Sequence, residues 1–330
     1  MIISSTPFRI SLFGGGTDYP QWFREHGGAV LGMSIDKNCF LSVRELPPFF
    51  GHKSRIVYSQ VELINKIEEI KHPVVRSVLG EMEITKGLEI HHMADLPARS
   101  GLGSSSSFTV GLINALNSME NVRVSKESLA NEAIHIEQEV LQEVVGNQDQ
   151  IWAAFGGLNR IEFSHDGSFQ VEPLKIDKSI KDELLNSFML FFTGFSRFSS
   201  EIAEIQIRNI ENSQSERHQI REIVDVAENV LKSRSFTISE LGSLLGNTWE
   251  LKKQFGNNVT NKNIDEIYEA GIRAGAYGGK LLGAGGGGFL LFIVDPTKRE
   301  AVRDALRGLV HVGFSLNEEG SKIIFKSTAV

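Results

Sequence analysis

Twelve of the 32 glycines in this 330-residue chain are gathered into short groups: Gly14 to Gly16, Gly101 with Gly103, Gly278 with Gly279, and Gly283 with Gly285 to Gly288. A glycine group lets the backbone make turns and close approaches that a Cβ forbids, so each group needs a local reason. Two global reasons fail. Collagen needs glycine at every third residue and abundant proline, whereas this chain has no such period and 8 Pro. A disordered glycine-rich chain lacks core-forming residues, whereas this one is 41% hydrophobic with 21 Phe. The glycines therefore belong to loops of a folded protein.

The length suits one large domain or two fused ones. The charge balance, 34 basic against 41 acidic residues and a net −7, recruits neither nucleic acid nor an anionic membrane, and no basic run is present. One cysteine, Cys39, excludes an intramolecular disulfide and a cysteine-based metal site, which fits a reducing compartment. Met1 to Ser11 lacks the pattern of a secretory leader, and the longest apolar runs, 188–192 and 289–294, are too short to span a bilayer. A cytoplasmic protein, monomeric or homodimeric, is expected.

Strands are expected at 8–13, 38–44, 87–93, 188–193, 289–294 and 322–327. Helices are expected at 61–70, 108–119, 129–145 (capped by Ser125), 199–212, 216–232 and 297–308. Ile220, Ile223, Val224, Ala227, Val230 and Leu231 would form one apolar stripe on the fifth of these. No internal repeat or low-complexity segment is evident. Polar interruptions between about 160 and 185 suggest two intimate halves, 1–170 and 171–330, in an α+β protein.

The sharpest chemical signal is 95–111, DLPARSGLGSSSSFTVG. A glycine loop running into serines and an apolar helix offers unpaired N–H groups and a positive helix end to an anion. Gly101 and Gly103 would let the backbone approach phosphate oxygens, and Ser104, Ser105, Ser106 and Ser107 add hydroxyls for phosphate or metal. The bland alternative is a turn before a serine-capped helix. The loop has neither the Walker A spacing nor the third glycine of a dinucleotide fingerprint, which disfavours a dinucleotide-dependent oxidoreductase.

On the 129–145 helix, Glu137 falls inside an apolar arc made by Leu129, Ala130, Ala133, Ile134, Ile136, Val140, Leu141 and Val144. A buried carboxylate is costly unless it is paired or ligates a metal, so either a buried salt bridge or a Mg²⁺ ligand fits. Twelve residues on, Asp149 in GNQDQ is a turn residue or a candidate base. The triple-glycine turn that leads to Thr17 and Asp18 suits a polar ligand such as a sugar, or is simply a turn with an Asp. The last group, KLLGAGGGGF from Lys280 to Phe289, is a second anion nest or a tight-packing loop.

Taken in order, 7–19, 97–105 (PARSGLGSS) and 283–288 resemble the three motifs of the galactokinase, homoserine kinase, mevalonate kinase and phosphomevalonate kinase (GHMP kinase) superfamily. The resemblance spans almost the whole chain. It implies an N-terminal domain with a left-handed βαβ unit like a ribosomal protein fold, and a C-terminal ferredoxin-like domain. It implies ATP at Pro97 and Ser100, Gly101, Leu102, Gly103 and Ser104 to Ser107, with Mg²⁺ on Ser105 and Glu137. Asp149 matches the catalytic aspartate and Arg9 the basic residue beside it. Gly15, Gly16, Thr17, Asp18, Gly285 and Gly286 are expected on the substrate side.

Where galactokinases carry Gly-Glu-His-Thr-Asp, this chain has Gly14-Gly15-Gly16-Thr17-Asp18, which removes two polar sugar contacts. That form, with 192–197 (FTGFSR), resembles the bacterial kinases of D-glycero-D-manno-heptose 7-phosphate. The implied reaction is phosphorylation of the anomeric hydroxyl, giving heptose 1,7-bisphosphate for surface polysaccharide synthesis. Arg197, then Arg99, would meet the substrate's own phosphate, unless each is a solvated surface arginine. A kinase for fucose or a galactose-like sugar, and a non-catalytic sugar or nucleotide sensor, are the alternatives.

Overall fold

A computed structural model describes residues 1–194 and 199–327, which form an α+β protein around two sheets. The chain begins with β1 (Ile2–Phe13), a buried strand stopped by the glycine turn. Helix α1 (Pro20–His26) follows, with proline in its first turn, where no N–H is needed. Next come β2 (Gly28–Glu45), the hairpin of β3 (Ser54–Val57) and β4 (Val61–Ile64), α2 (Pro73–Glu81) and β5 (Leu88–Ala94). Helices α3 (Ser104–Met119), α4 (Lys126–His135) and α5 (Gln148–Phe155) lead to the hairpin of β6 (Leu158–Phe163) and β7 (Phe169–Pro173).

The length of β2 has a structural cause. Its first part pairs with β6 and its last part with β5, while β1 pairs along most of its other edge. The expected strand at 38–44 is thus the second half of a strand twice as long. Helices α3 and α5 pack on β1 and β2, and so carry their N-termini to the end of β1.

Helix α6 (Lys178–Ser187) leads into β8 (Phe188–Phe192). Then α7 (Ser199–Arg208), α8 (Gln214–Lys232), α9 (Ile238–Lys253) and α10 (Lys262–Arg273) precede β9 (Ala276–Leu281) and β10 (Phe289–Val294). Helix α11 (Arg299–Ala305) precedes β11 (Val310–Val312). These four strands form an antiparallel sheet in the order β11-β8-β10-β9. Numbered along the chain, that order is 4-1-3-2 with helices in the first and third connections, as in a ferredoxin-like unit. The chain then returns to the first sheet, where β12 (Lys322–Lys326) pairs antiparallel with β1. A division near residue 170 remains a proposal; β12 lies C-terminal to it yet pairs with the first strand.

Two helix expectations need correction. Residues 61–70 form β4 and a single 3₁₀ turn, Ile67–Glu69, because Val61–Ile64 buries alternate residues and β3 supplies a strand partner. The 129–145 helix starts at Lys126, with the Ser125 side chain accepting from the Ser128 N–H, but is regular only to His135. A π turn at Ile136–Val140 follows, and the chain leaves the helix through Gln142 at φ 54°. Helices expected at 199–212 and 297–308 are shorter than their patterns, while the stripe on α8 is buried at Ile220, Val224, Ala227, Val230 and Leu231.

Candidate active site

The glycine groups meet where the two halves touch. A Cβ on Gly283 would lie 2.5 Å from the Gly101 Cα, one on Gly101 2.4 Å from the Leu282 carbonyl oxygen, and one on Gly288 2.2 Å from that of Ser100. All three glycines have positive φ, so the second and last groups pack backbone to backbone with no room for a side chain. The first group joins them through buried cations. Arg217 on α8 donates to the Gly16 carbonyl and lies against the Phe255 ring, 4.1 Å from its centroid; Lys280 on β9 donates to the Leu12 carbonyl at 3.0 Å.

Arg9, near the end of β1, reaches into this junction. Its Nε and Nη2 donate to the two carboxylate oxygens of Asp149 at 2.7 and 2.6 Å, a bidentate fork, and Nη1 donates to the Gly101 carbonyl at 2.5 Å. The arginine side chain is 6% exposed and the aspartate 25%, so the aspartate is the partner that faces outward. Asp149 stands in the first turn of α5, and Gly103, which opens α3 at φ 74°, has space for a Cβ only 3.3 Å from its carboxylate. An oriented carboxylate thus lies at the start of the serine helix.

Asp18 is buried beside them, accepting from the Gly16 N–H and from Gln148 Nε2, each at 2.9 Å. Burial first, opposed by the Gly16 bond and helped by the Asp149 charge, pushes its pKa up. Thr17 is turned inward: its hydroxyl contacts the Gly14 and Ala29 carbonyls and accepts from the Ala29 N–H, which holds the turn that presents Asp18. A Cβ on Gly15 would lie 3.3 Å from Ser11 Oγ and 3.8 Å from Gln148 Nε2, so the turn sits close against two polar side chains. Gly285 and Gly286 pack on Val259, whose carbonyl takes the Gly286 N–H at 2.9 Å. Thr193 bonds to the Gly288 carbonyl, so 192–194 starts at the last glycine group; Arg197 lies outside the described residues.

The serine run divides by depth. Pro97 and Ser105 are exposed, Ser104 Oγ accepts from the Arg99 N–H, and the buried Ser100 Oγ has no protein partner. Leu102 is core, its carbonyl accepting the Arg9 N–H. Ser107 ties the helix start to the Pro7 carbonyl at 2.8 Å. Ser106 and Thr109 donate to Glu137 at 2.9 and 2.7 Å, and Gln150 Nε2 donates at 2.5 Å. Glu137 is fully buried, and no cation pairs with it among the described residues, so the buried salt bridge is not formed. Burial, the largest cause, raises its pKa to about 7 despite these donors. An uncompensated carboxylate among hydroxyls suits a hard divalent cation, but the serine that reaches Glu137 is Ser106; Ser105, expected as its fellow ligand, is exposed, one turn before Thr109 on α3.

Lys252, Arg217, Lys280, Gln148 and Gln150 were not foreseen. Arg217 and Lys252 sit on the buried stripes of α8 and α9, the same anomaly that marks Glu137.

Two family models match the chain: the GHMP kinase N-terminal domain over 65–157, which includes the serine helix, Glu137 and Asp149, and the GHMP kinase C-terminal domain over 226–311, which includes the last glycine group. The chain belongs to the GHMP kinases. It is 34% identical to a D-glycero-alpha-D-manno-heptose 7-phosphate kinase of Campylobacter jejuni, with 97% of this chain and 98% of that protein covered. A galactokinase of Pyrococcus furiosus is 25% identical, with 92% of each covered. Among solved structures, a D-glycero-D-manno-heptose 1-phosphate kinase from Bacteroides thetaiotaomicron superposes with TM-score 0.81 at 25% identity, over 99% of this chain and 100% of that one. This GHMP kinase is therefore an ATP-dependent kinase of α+β fold. No helix among the described residues is long and apolar enough to cross a membrane.

Proposed function

We propose that this GHMP kinase phosphorylates the anomeric hydroxyl of D-glycero-D-manno-heptose 7-phosphate, giving heptose 1,7-bisphosphate for nucleotide-activated heptose and surface polysaccharide. The observation that carries the reading is the Arg9–Asp149 fork, held between the serine helix and the turn of Asp18. The similarity to the Campylobacter heptose kinase supports the sugar.

In the step, the sugar oxygen forms the new bond to phosphorus and ADP leaves with the electron pair of the broken P–O bond. The hydroxyl proton passes to a carboxylate oxygen of Asp149. Arg9 fixes the rotamer of that carboxylate and stabilises charge beside it, while the N–H groups of the first turn of α3, ahead of Ser107, would face the phosphates. Asp18, held by the Gly16 N–H and Gln148, orients sugar hydroxyls. Ser105 and Glu137 would hold Mg²⁺, which when bound neutralises phosphate charge. Transfer of this kind is mostly positioning and charge stabilisation, so a carboxylate base suffices, and the acidity of an anomeric hydroxyl eases its task.

An ADP-release screen over hexoses, heptoses and their phosphates tests the proposal. The 7-phosphate should give the highest kcat/KM. Equal turnover on unphosphorylated fucose or galactose, or preference for a heptose 1-phosphate, would redirect it to those substrates. No ADP release on any sugar would leave a sensor.

A further inference from the structure

The described residues bury four cationic side chains around the glycine junction, Arg9, Arg217, Lys252 and Lys280, against two carboxylates, Asp18 and Asp149. Arg217 is satisfied by the Gly16 and Gln206 carbonyls, Ser213 and the Phe255 ring, and Arg9 by Asp149 and Gly101. Lys252 is not. Its ammonium has three donors, yet its one protein bond is to the Gly283 carbonyl, and it is 5% exposed. Among the described residues no carboxylate forms an ion pair with it. A buried cation in this state is expensive, so its place needs an anion that the chain itself does not supply.

The backbone says where that anion would sit. Lys252 holds the Gly283 carbonyl; Gly283 packs on Gly101; the Gly101 carbonyl accepts from Arg9, which grips Asp149. Lys252 therefore lies across one backbone contact from the Arg9–Asp149 fork, on the C-terminal side of the junction. We propose that Lys252 is a further phosphate-binding residue of this kinase, its ammonium contacting the phosphoryl group in transfer while Arg9 holds Asp149 from the other side. This rests on the kinase reading above. The lysine keeps its proton throughout and makes no bond; it offsets charge on the equatorial oxygens as ADP departs. Burial, with Arg9 adding repulsion, lowers its pKa to about 8, while Asp18 and Asp149 pull upward. The charged groups facing it are thus Arg9 from β1, Asp18 from the turn, Asp149 from α5 and Lys280 from β9, whose own ammonium is lowered first by burial and then by Lys252.

The test compares Lys252→Met and Lys252→Arg with wild type by ADP release, thermal melting and pH profile. Lys252→Met should lower kcat about 10²-fold or more on phosphorylated and unphosphorylated sugars alike, with sugar KM little changed and no loss of thermal stability. Wild-type kcat/KM should fall as pH rises through about 8, since the ammonium is the active form, and Lys252→Arg should move that limb upward. A kcat within threefold of wild type in Lys252→Met, or an unmoved basic limb in Lys252→Arg, overturns the proposal. A defect confined to the KM of phosphorylated sugars also overturns it and assigns Lys252 to the substrate's own phosphate. If Lys252→Met does not fold, the Lys252→Arg profile decides. Wild type that releases ADP on no sugar breaks the functional reading instead; a non-hydrolysable ATP analogue then decides on Lys252, with tenfold weaker binding to Lys252→Met in support and unchanged binding against.

Discussion

Asp149 and Glu137 flank the start of the same helix but live in opposite surroundings. Asp149 is a quarter exposed and forked by a buried arginine. Glu137 is fully buried, ringed by two hydroxyls and an amide, and has no cation. Neutral donors orient a carboxylate but do not cancel its charge, and burial then drives Glu137 toward its protonated form. One carboxylate is charge-compensated and faces outward, which suits the proton acceptor proposed above. The other has neutral donors alone, the environment in which the proposed Mg²⁺ would supply the missing charge. Within 13 residues the chain thus builds two chemically distinct acids, and the difference comes from what surrounds each one.

Replacing Asp149 should separate the two most sharply. Asp149→Asn is expected to lower kcat by about 10² or more while nucleotide binding persists; full activity would remove the base role. Breaking the fork from the other side, Arg9→Met should cost about 10-fold to 10²-fold in kcat, and also loosen the Gly101 loop, visible as a weaker affinity for ATP. For Glu137→Gln the expected change is a raised Mg²⁺ requirement, measured by titrating activity with the metal, with smaller loss at saturation. The same variant tests the electrostatics. A carboxyl whose folded pKa is raised binds its proton more tightly when folded, so its contribution to stability is present below the unfolded value near 4.5 and is lost as pH rises through about 7. Without metal, Glu137→Gln should thus be more stable than wild type at pH 8 by about 1 to 3 kcal/mol in denaturant unfolding, and lose that advantage near pH 5. The smallest effect is expected for Thr109→Val, which removes one donor to Glu137: about 1 kcal/mol of stability, read from denaturant unfolding, with kcat changed less than threefold.

Much of this site was legible because its signals are local. Gly101 and Gly103 preceding a serine helix, and Glu137 on an apolar arc, are readable from a few adjacent residues, and the structure puts them together with Asp149 and Arg9. The wheel that exposed Glu137 nevertheless ended wrongly, since the π turn at Ile136–Val140 changes the phase after His135. The same wheel would have found Arg217 on the stripe of Ile220, Val224 and Ala227, and Lys252 on that of Leu241, Leu245 and Trp249. Lys252 stayed hidden because α9 carries interior glycines, Gly242 and Gly246, that weaken a helical reading. Gly242 is there because Tyr277 packs 2.4 Å from where its Cβ would be, a constraint from a strand 35 residues away. The hairpin partner of Val61–Ile64 was invisible for the same reason: only pairing to β3 makes those four residues a strand.

The sequence by itself determined that a glycine loop runs into a serine helix, that a carboxylate falls on an apolar arc, and that three motifs in order resemble those of the GHMP kinases. It could do so because those features are written in spacings of three to twelve residues. Only the tertiary structure decided that Gly101 abuts Gly283, that Arg9 forks Asp149, and that Lys252 is buried against the Gly283 carbonyl. Those contacts join residues 140 or more apart for the fork and 182 apart for the glycines, and their energetics depend on the burial that folding creates. A charge is cheap in an unfolded chain and costly in a closed junction; which charges end in the junction is a property of packing.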